Sequence, residues 1–133
     1  MFAGQIINHK NTKTVFESDN NLFCLLTMNN HPVHTNAEYA GRAKHGQILV
    51  CGTYVFSLVV GLTVPEISFG AIANLRYDEV THHKPVFIGD TLTAKSSILS
   101  IKEQKTTKVV SVRTLAFNQK DEIVLSYERK VLI

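Results

Sequence analysis

Two histidines, three asparagines and a proline fall together in Asn29-Asn30-His31-Pro32-Val33-His34-Thr35-Asn36. An imidazole titrates near neutral pH and can pass a proton in either direction. An asparagine amide can donate or accept a hydrogen bond but takes no proton at pH 7. A polar, proline-anchored loop ahead of an apolar helix is a candidate site. The same residue types also describe a helix exit and an N-cap with solvated histidines, so the residues alone leave both readings open. His82 and His83 form a second pair, but adjacent positions in a strand face opposite ways, which argues against shared metal ligation. Asp78, Glu79 and Asp90 are the remaining acids of interest, Asp90 also serving as a turn former. Arg42, Lys44 and Lys84 are the nearby cations.

These residues belong to a chain of 133, with 44% hydrophobic and 19% charged residues, which is the size and composition of one globular domain. Such a chain buries roughly two thirds of its unfolded surface and can carry its own core. The formal charge of +3 comes from 14 basic and 11 acidic residues spread along the chain, too dilute for a nucleic-acid footprint. The longest apolar stretch, residues 48–64, is interrupted by Gly52, Thr53, Ser57, Gly61 and Thr63 and falls short of a membrane span. Without a basic, apolar leader at the start, the expected location is the cytoplasm. Cys24 and Cys51 lie in apolar stretches without CxxC spacing and read as buried thiols.

The elements that must position the site divide the chain in two. Residues 18–64 read as helical or loop-rich. The rest reads as strands at 71–80, 91–102, 108–118 and 123–132, separated by short polar turns. Lys84-Pro85-Val86-Phe87-Ile88-Gly89-Asp90 breaks the first pair through a proline and a Gly-Asp turn. Hairpin-linked strands predict an antiparallel sheet. Neither face of Val109–Phe117 is strongly polar, so one face is expected under a helix and part of the other under a partner. The covering helix is expected over 49–62, apolar all round and therefore buried on every side. Asn36 reads as the N-cap of a short helix running to about residue 44. The architecture is then α+β, a sheet wrapped around a long central helix.

Three segments in order resemble the MaoC-like hot-dog hydratases. Residues 29–36 are similar to the family's Asp-x-Asn-Pro-x-His motif, and Ala37-Glu38-Tyr39-Ala40 to the short helix after it. Leu49-Val50-Cys51-Gly52-Thr53 looks like the start of the family's central helix. Lys84–Leu92 resembles the Pro-Val-Phe-x-Gly-Asp-Thr-Leu signature. A subgroup with similar Leu-Thr-Met-Asn, Ala-Asn-Leu and Lys-Pro-Val-Phe segments is associated with acyl or mesaconyl-CoA-type hydration.

The resemblance implies a single hot-dog domain over 1–133, acting on an acyl-CoA thioester as a homodimer or higher even homo-oligomer, with sites formed between units. It implies no metal and no redox cofactor. Hydration of a 2-enoyl thioester needs a base for water, an acid for the α-carbon and donors for the thioester oxygen. By likeness, His34 is the catalytic imidazole and the Gly52 N–H meets the oxygen. Pro32, Cys51, Thr53 and Lys84 would contact substrate. The chain departs from the pattern where Asn29 replaces the usual aspartate and His31 the usual asparagine. Asn29 is then left to orient water, or His31 supplies a second titrating group, or hydration is lost. A hot-dog thioesterase and a non-catalytic acyl-CoA-binding module are the rival expectations.

Overall fold

The hairpin-linked segments form one antiparallel sheet in a computed structural model that describes residues 1–133. Its long strands are β3 (Ala73–His82), β4 (Thr91–Gln104), β5 (Thr107–Phe117) and β6 (Ile123–Leu132), each within two residues of the expected bounds. Two short strands were not legible in the sequence: β1 (Ile6–Asn8) and β2 (Lys13–Thr14), both paired with β4. Two or three residues are too few to show a period. The order is β1-β4-β5-β6-β3, which leaves β3 at an open edge. Leu75, Tyr77 and Val80 are exposed along it. A bulge between Asp78 and Thr81 interrupts that strand, with Glu79 in the left-handed region at φ 51°.

Alternation assigns the inner face of the sheet. Leu92, Ala94, Ser96 and Ile98 of β4 and Val110, Val112, Thr114 and Ala116 of β5 are all buried. The central helix α4 (Gly52–Leu62) lies along this face, as the hot-dog resemblance implies. Its Val55, Val59 and Leu62, at helical spacing, pack with Leu92, Ala116, Leu125 and Tyr127. Burying each such aliphatic side chain contributes about 1.5–3 kcal/mol.

Two expectations for this helix are corrected. It begins at Gly52, not at residue 49, because Val50 donates its N–H to the Val86 carbonyl (2.9 Å) and Leu49 bridges Phe87. Nor is it buried on every side. Thr53, Ser57 and Gly61, one stripe at i, i+4 and i+8, are exposed, and Tyr54, Phe56, Leu58 and Val60 beside them are half-buried.

The remaining helices precede α4. In α1 (Glu17–Thr27), the Asp19 carboxylate accepts the Phe16 N–H at 3.0 Å, and the helix stops at Met28 with φ 59°. A single turn, α2 (Pro32–Thr35), leads into α3 (Ala37–Arg42), whose Asn36 Oδ1 accepts the Tyr39 N–H at 3.0 Å as expected of an N-cap.

Beyond α4 a π-helical turn, Val64–Ser68, buries Ile67 against Ile98, Val110, Val112 and Val131. His9 pins it to the sheet: Nδ1 lies 2.9 Å from a Glu66 oxygen and Nε2 lies 2.7 Å from Ser96 Oγ, which meets Thr114 Oγ1 at 2.8 Å. On β6, Arg129 is 1% exposed. Its guanidinium donates to Thr63 Oγ1 (3.0 Å) and Asn74 Oδ1 (3.3 Å), with no carboxylate in ion-pair range and Nε without a partner.

Candidate functional site

His34 is held by backbone on both sides. Leu49 donates its N–H to the Val33 carbonyl at 3.1 Å, and the Leu49 carbonyl lies 2.6 Å from His34 Nδ1. A carbonyl oxygen can only accept, so in the neutral imidazole Nδ1 carries the hydrogen and Nε2 keeps its lone pair. The half-buried His34 therefore offers a base at one defined atom.

The neighbouring candidates are engaged differently. His31 is exposed, and its Nδ1 accepts the Val33 N–H at 3.1 Å, capping α2. Pro32 occupies the first turn of α2, where its missing N–H costs nothing. Asn29 directs Nδ2 at Cys51 Sγ (3.2 Å), which leaves its Oδ1 as a free acceptor.

Cys51 caps α4. Its sulfur meets Thr53 Oγ1 at 3.3 Å, together with the Asn29 amide. Burial alone would push the Cys51 thiol up, yet the donors from the Thr53 hydroxyl, the Tyr54 and Thr53 amides and Asn29 bring it below the usual thiol value. Cys24 has no such shell, and burial pushes it up to about 11. Both thiols are free and buried, as expected.

Gly52, the first residue of α4, has an N–H with no carbonyl to bond within the helix, and the helix dipole adds partial positive charge there. A Cβ at this position would meet Cε1 and Nε2 of His82 at 3.2 Å, so the missing side chain is what lets the imidazole approach. Gly52 opens into a cavity of about 310 Å3 with Lys44, His45, His82, His83 and Lys84. His82 and His83 thus line the same cavity. The ladder runs on past His82, with the His83 N–H donated to the Val124 carbonyl at 2.9 Å, and the two rings have different neighbours, His82 against Gly52 and His83 toward Ser126. His83 Nε2 lies 2.7 Å from Ser126 Oγ, and Lys84 is paired with Glu122. Burial, and then the proximity of His83, hold the His82 imidazole below its usual value.

His34 lines a different recess, of about 370 Å3, with Glu17, Asn20, Asn21 and Ile48. In the single chain, then, His34 and Gly52 are joined through the Leu49–Cys51 backbone but do not share a cavity. A residue that sequence reading passed over makes the join. Asn20, 1% exposed, accepts the Cys51 N–H at Oδ1 (2.9 Å) and donates from Nδ2 to the His34 carbonyl (2.9 Å). An asparagine in an amphipathic helix gives no signal of such a role.

The chain matches the family described as "MaoC like domain" over residues 2–120. It is 39% identical over 132 residues to the mesaconyl-CoA hydratase of Cereibacter sphaeroides, covering 98% of this chain but only 38% of that protein's length. It is 31% identical to the (R)-specific enoyl-CoA hydratase of Rhodospirillum rubrum, covering 91% of this chain and 81% of the relative. Among solved structures, the monoamine oxidase regulatory protein from Archaeoglobus fulgius superposes with a TM-score of 0.89 at 28% identity, over 100% of this chain and 90% of that one. No helix here is long and apolar enough to cross a membrane. By its sheet wrapped over α4, its ordered motifs and these likenesses, the chain belongs to the MaoC-like domain family.

Proposed function

We propose that the protein is an acyl-CoA hydro-lyase, adding water reversibly to a short or branched 2-enoyl-CoA, with a mesaconyl-CoA-like thioester as the favoured substrate. The observation that carries this reading is the fixed tautomer of His34, whose Nε2 is available as a base. In this reading Nε2 takes a proton from water as its oxygen bonds to the β-carbon. The thioester oxygen gathers charge against the Gly52 N–H, and the imidazolium returns the proton to the α-carbon. Asn29 Oδ1 accepts from the attacking water. One imidazole serves as base and then acid, so this cycle needs no carboxylate at position 29.

In this reading a second unit joins the two recesses. The exposed edge of β3 and the uncovered stripe of α4 are where a second copy would add, making a homodimer the working assembly. The thioesterase alternative wants a free carboxylate by the central helix. Glu66, just beyond α4, is committed to His9.

The test is loss of enoyl absorbance across a thioester panel that includes crotonyl- and mesaconyl-CoA. Turnover by the wild type that falls about 10²–10⁴-fold in His34→Ala supports the reading. An undiminished rate in that variant, or no turnover of any enoyl-CoA, sinks it. Release of free CoA instead would favour the thioesterase.

A further inference from the structure

The cavity at Gly52 has an unusual balance of charge. Lys44, His45, His82, His83 and Lys84 line it together with Leu49, Val55 and Val86, and not one carboxylate does. Three of the five basic groups already have occupations. Lys84 is neutralised by Glu122, His83 is bonded to Ser126, and His45 stacks edge-on against Phe87 at 5.5 Å. Lys44 has no ion pair, and the His82 side chain has no hydrogen-bond partner within the chain. His82 is the group pressed against Gly52, where an added Cβ would lie 3.2 Å away.

A cavity with apolar walls, a free ammonium and a free imidazole fits a small anion attached to a carbon chain. A carboxylate entering it would draw a proton onto the imidazole and pair with the ammonium, with no acid of the protein competing. Phosphate groups of CoA are also anions, but position separates the two sources. If the Gly52 N–H holds the thioester oxygen, the phosphates lie a whole pantetheine arm away, whereas the end of a four- or five-carbon acyl group lies within the same cavity.

We propose that Lys44 and His82 form a carboxylate subsite in the Gly52 cavity, so that the preferred acyl group carries a second carboxylate at its far end. This rests on the acyl-CoA reading above and adds to it the residues that select the acyl group.

Binding of unreactive saturated thioesters tests the subsite without requiring turnover. Succinyl-CoA and butyryl-CoA have the same chain length and differ by the carboxylate. By calorimetry the wild type should bind succinyl-CoA at least about tenfold more tightly, a difference of about 1.4 kcal/mol. The preference should shrink to near unity in a Lys44→Gln/His82→Asn double variant, with each single variant between. Both positions are exposed, so folding is expected to survive, and circular dichroism checks it.

A wild type that does not distinguish the two thioesters overturns the proposal. So does a double variant that retains the preference. Equal weakening of free CoA and both thioesters assigns the cations to the phosphates and likewise overturns it. Selective binding without turnover of any enoyl-CoA would remove the hydratase reading while leaving the subsite in place. Failure to bind any CoA thioester removes both.

Discussion

Asn20 and His34, on separate helices, are joined by a 2.9 Å hydrogen bond from the buried amide to the His34 carbonyl, and the same amide accepts the Cys51 N–H at 2.9 Å. One side chain thus fixes the proposed base relative to the start of α4. Asn20→Ala leaves the buried Cys51 N–H and the half-buried His34 carbonyl without their partner, and an unpaired buried group costs about 1–3 kcal/mol. The expected result in chemical denaturation is a loss of about 2 kcal/mol or more, with turnover falling further than the unfolded fraction explains. A variant as stable and active as the wild type would show that the clamp is incidental.

Asn29→Asp puts a carboxylate beside Cys51, where the resemblance to the family motif expects one. Since His34 can act alone in the proposed cycle, the rate should change by less than about tenfold. The measurement is kcat/KM on an enoyl thioester. Activity emerging from an inactive wild type would instead identify the natural chain as a binding module.

Gly52→Ala opposes two effects. Alanine narrows the freedom of the unfolded chain, worth about 0.4–1 kcal/mol, while its Cβ must displace the His82 ring by a few tenths of an ångström from a 3.2 Å contact. Because His82 is exposed and able to turn, stability should stay within about 1 kcal/mol of wild type. Substrate affinity should fall by several-fold, read as a rise in KM.

Glu66 gives a pH dependence of known sign. The hydrogen bond with His9 is the main cause holding its carboxyl below the ordinary 4.5, against the opposing effect of burial. A depressed folded value stabilises the protein above the unfolded value, and that contribution disappears as pH falls through the folded one. Tm measured from pH 6 downward should therefore drop below about pH 4.5, and less steeply in Glu66→Gln. Parallel curves for the two proteins would contradict this.

A dimer is the expected species by light scattering at micromolar concentration, because the β3 edge and the α4 stripe are both uncovered in one chain. A monomer that turns over enoyl-CoA would contradict a site shared between units.

Sequence reading reached the long strands because period-two alternation and turn residues are local properties, as in Val110, Val112, Thr114 and Ala116. It placed α4 but extended it backward, since apolar Leu49 and Val50 look alike whether they bond as helix or to the strand-like residues at Val86 and Phe87. His34, Asn29, His31 and Gly52 were visible as a motif. What each does with its hydrogen bonds was not, because their partners are backbone atoms or side chains made near only by folding. Asn20 and the joint exposure of His82 and His83 depend entirely on such contacts.

The two buried basic side chains, His9 and Arg129, differ in the partners that hold them. His9 leans on a carboxylate, whereas Arg129 is held by neutral oxygens of Thr63 and Asn74 with no carboxylate in ion-pair range. Acidification therefore loosens this molecule unevenly. The amino-terminal strand and the π-turn, tied through Glu66, are the first parts to come free, while the seam between the end of α4 and β6 outlasts them. In hydrogen exchange at low pH, the amides around Ile7 and Ile67 should lose protection ahead of those in β6.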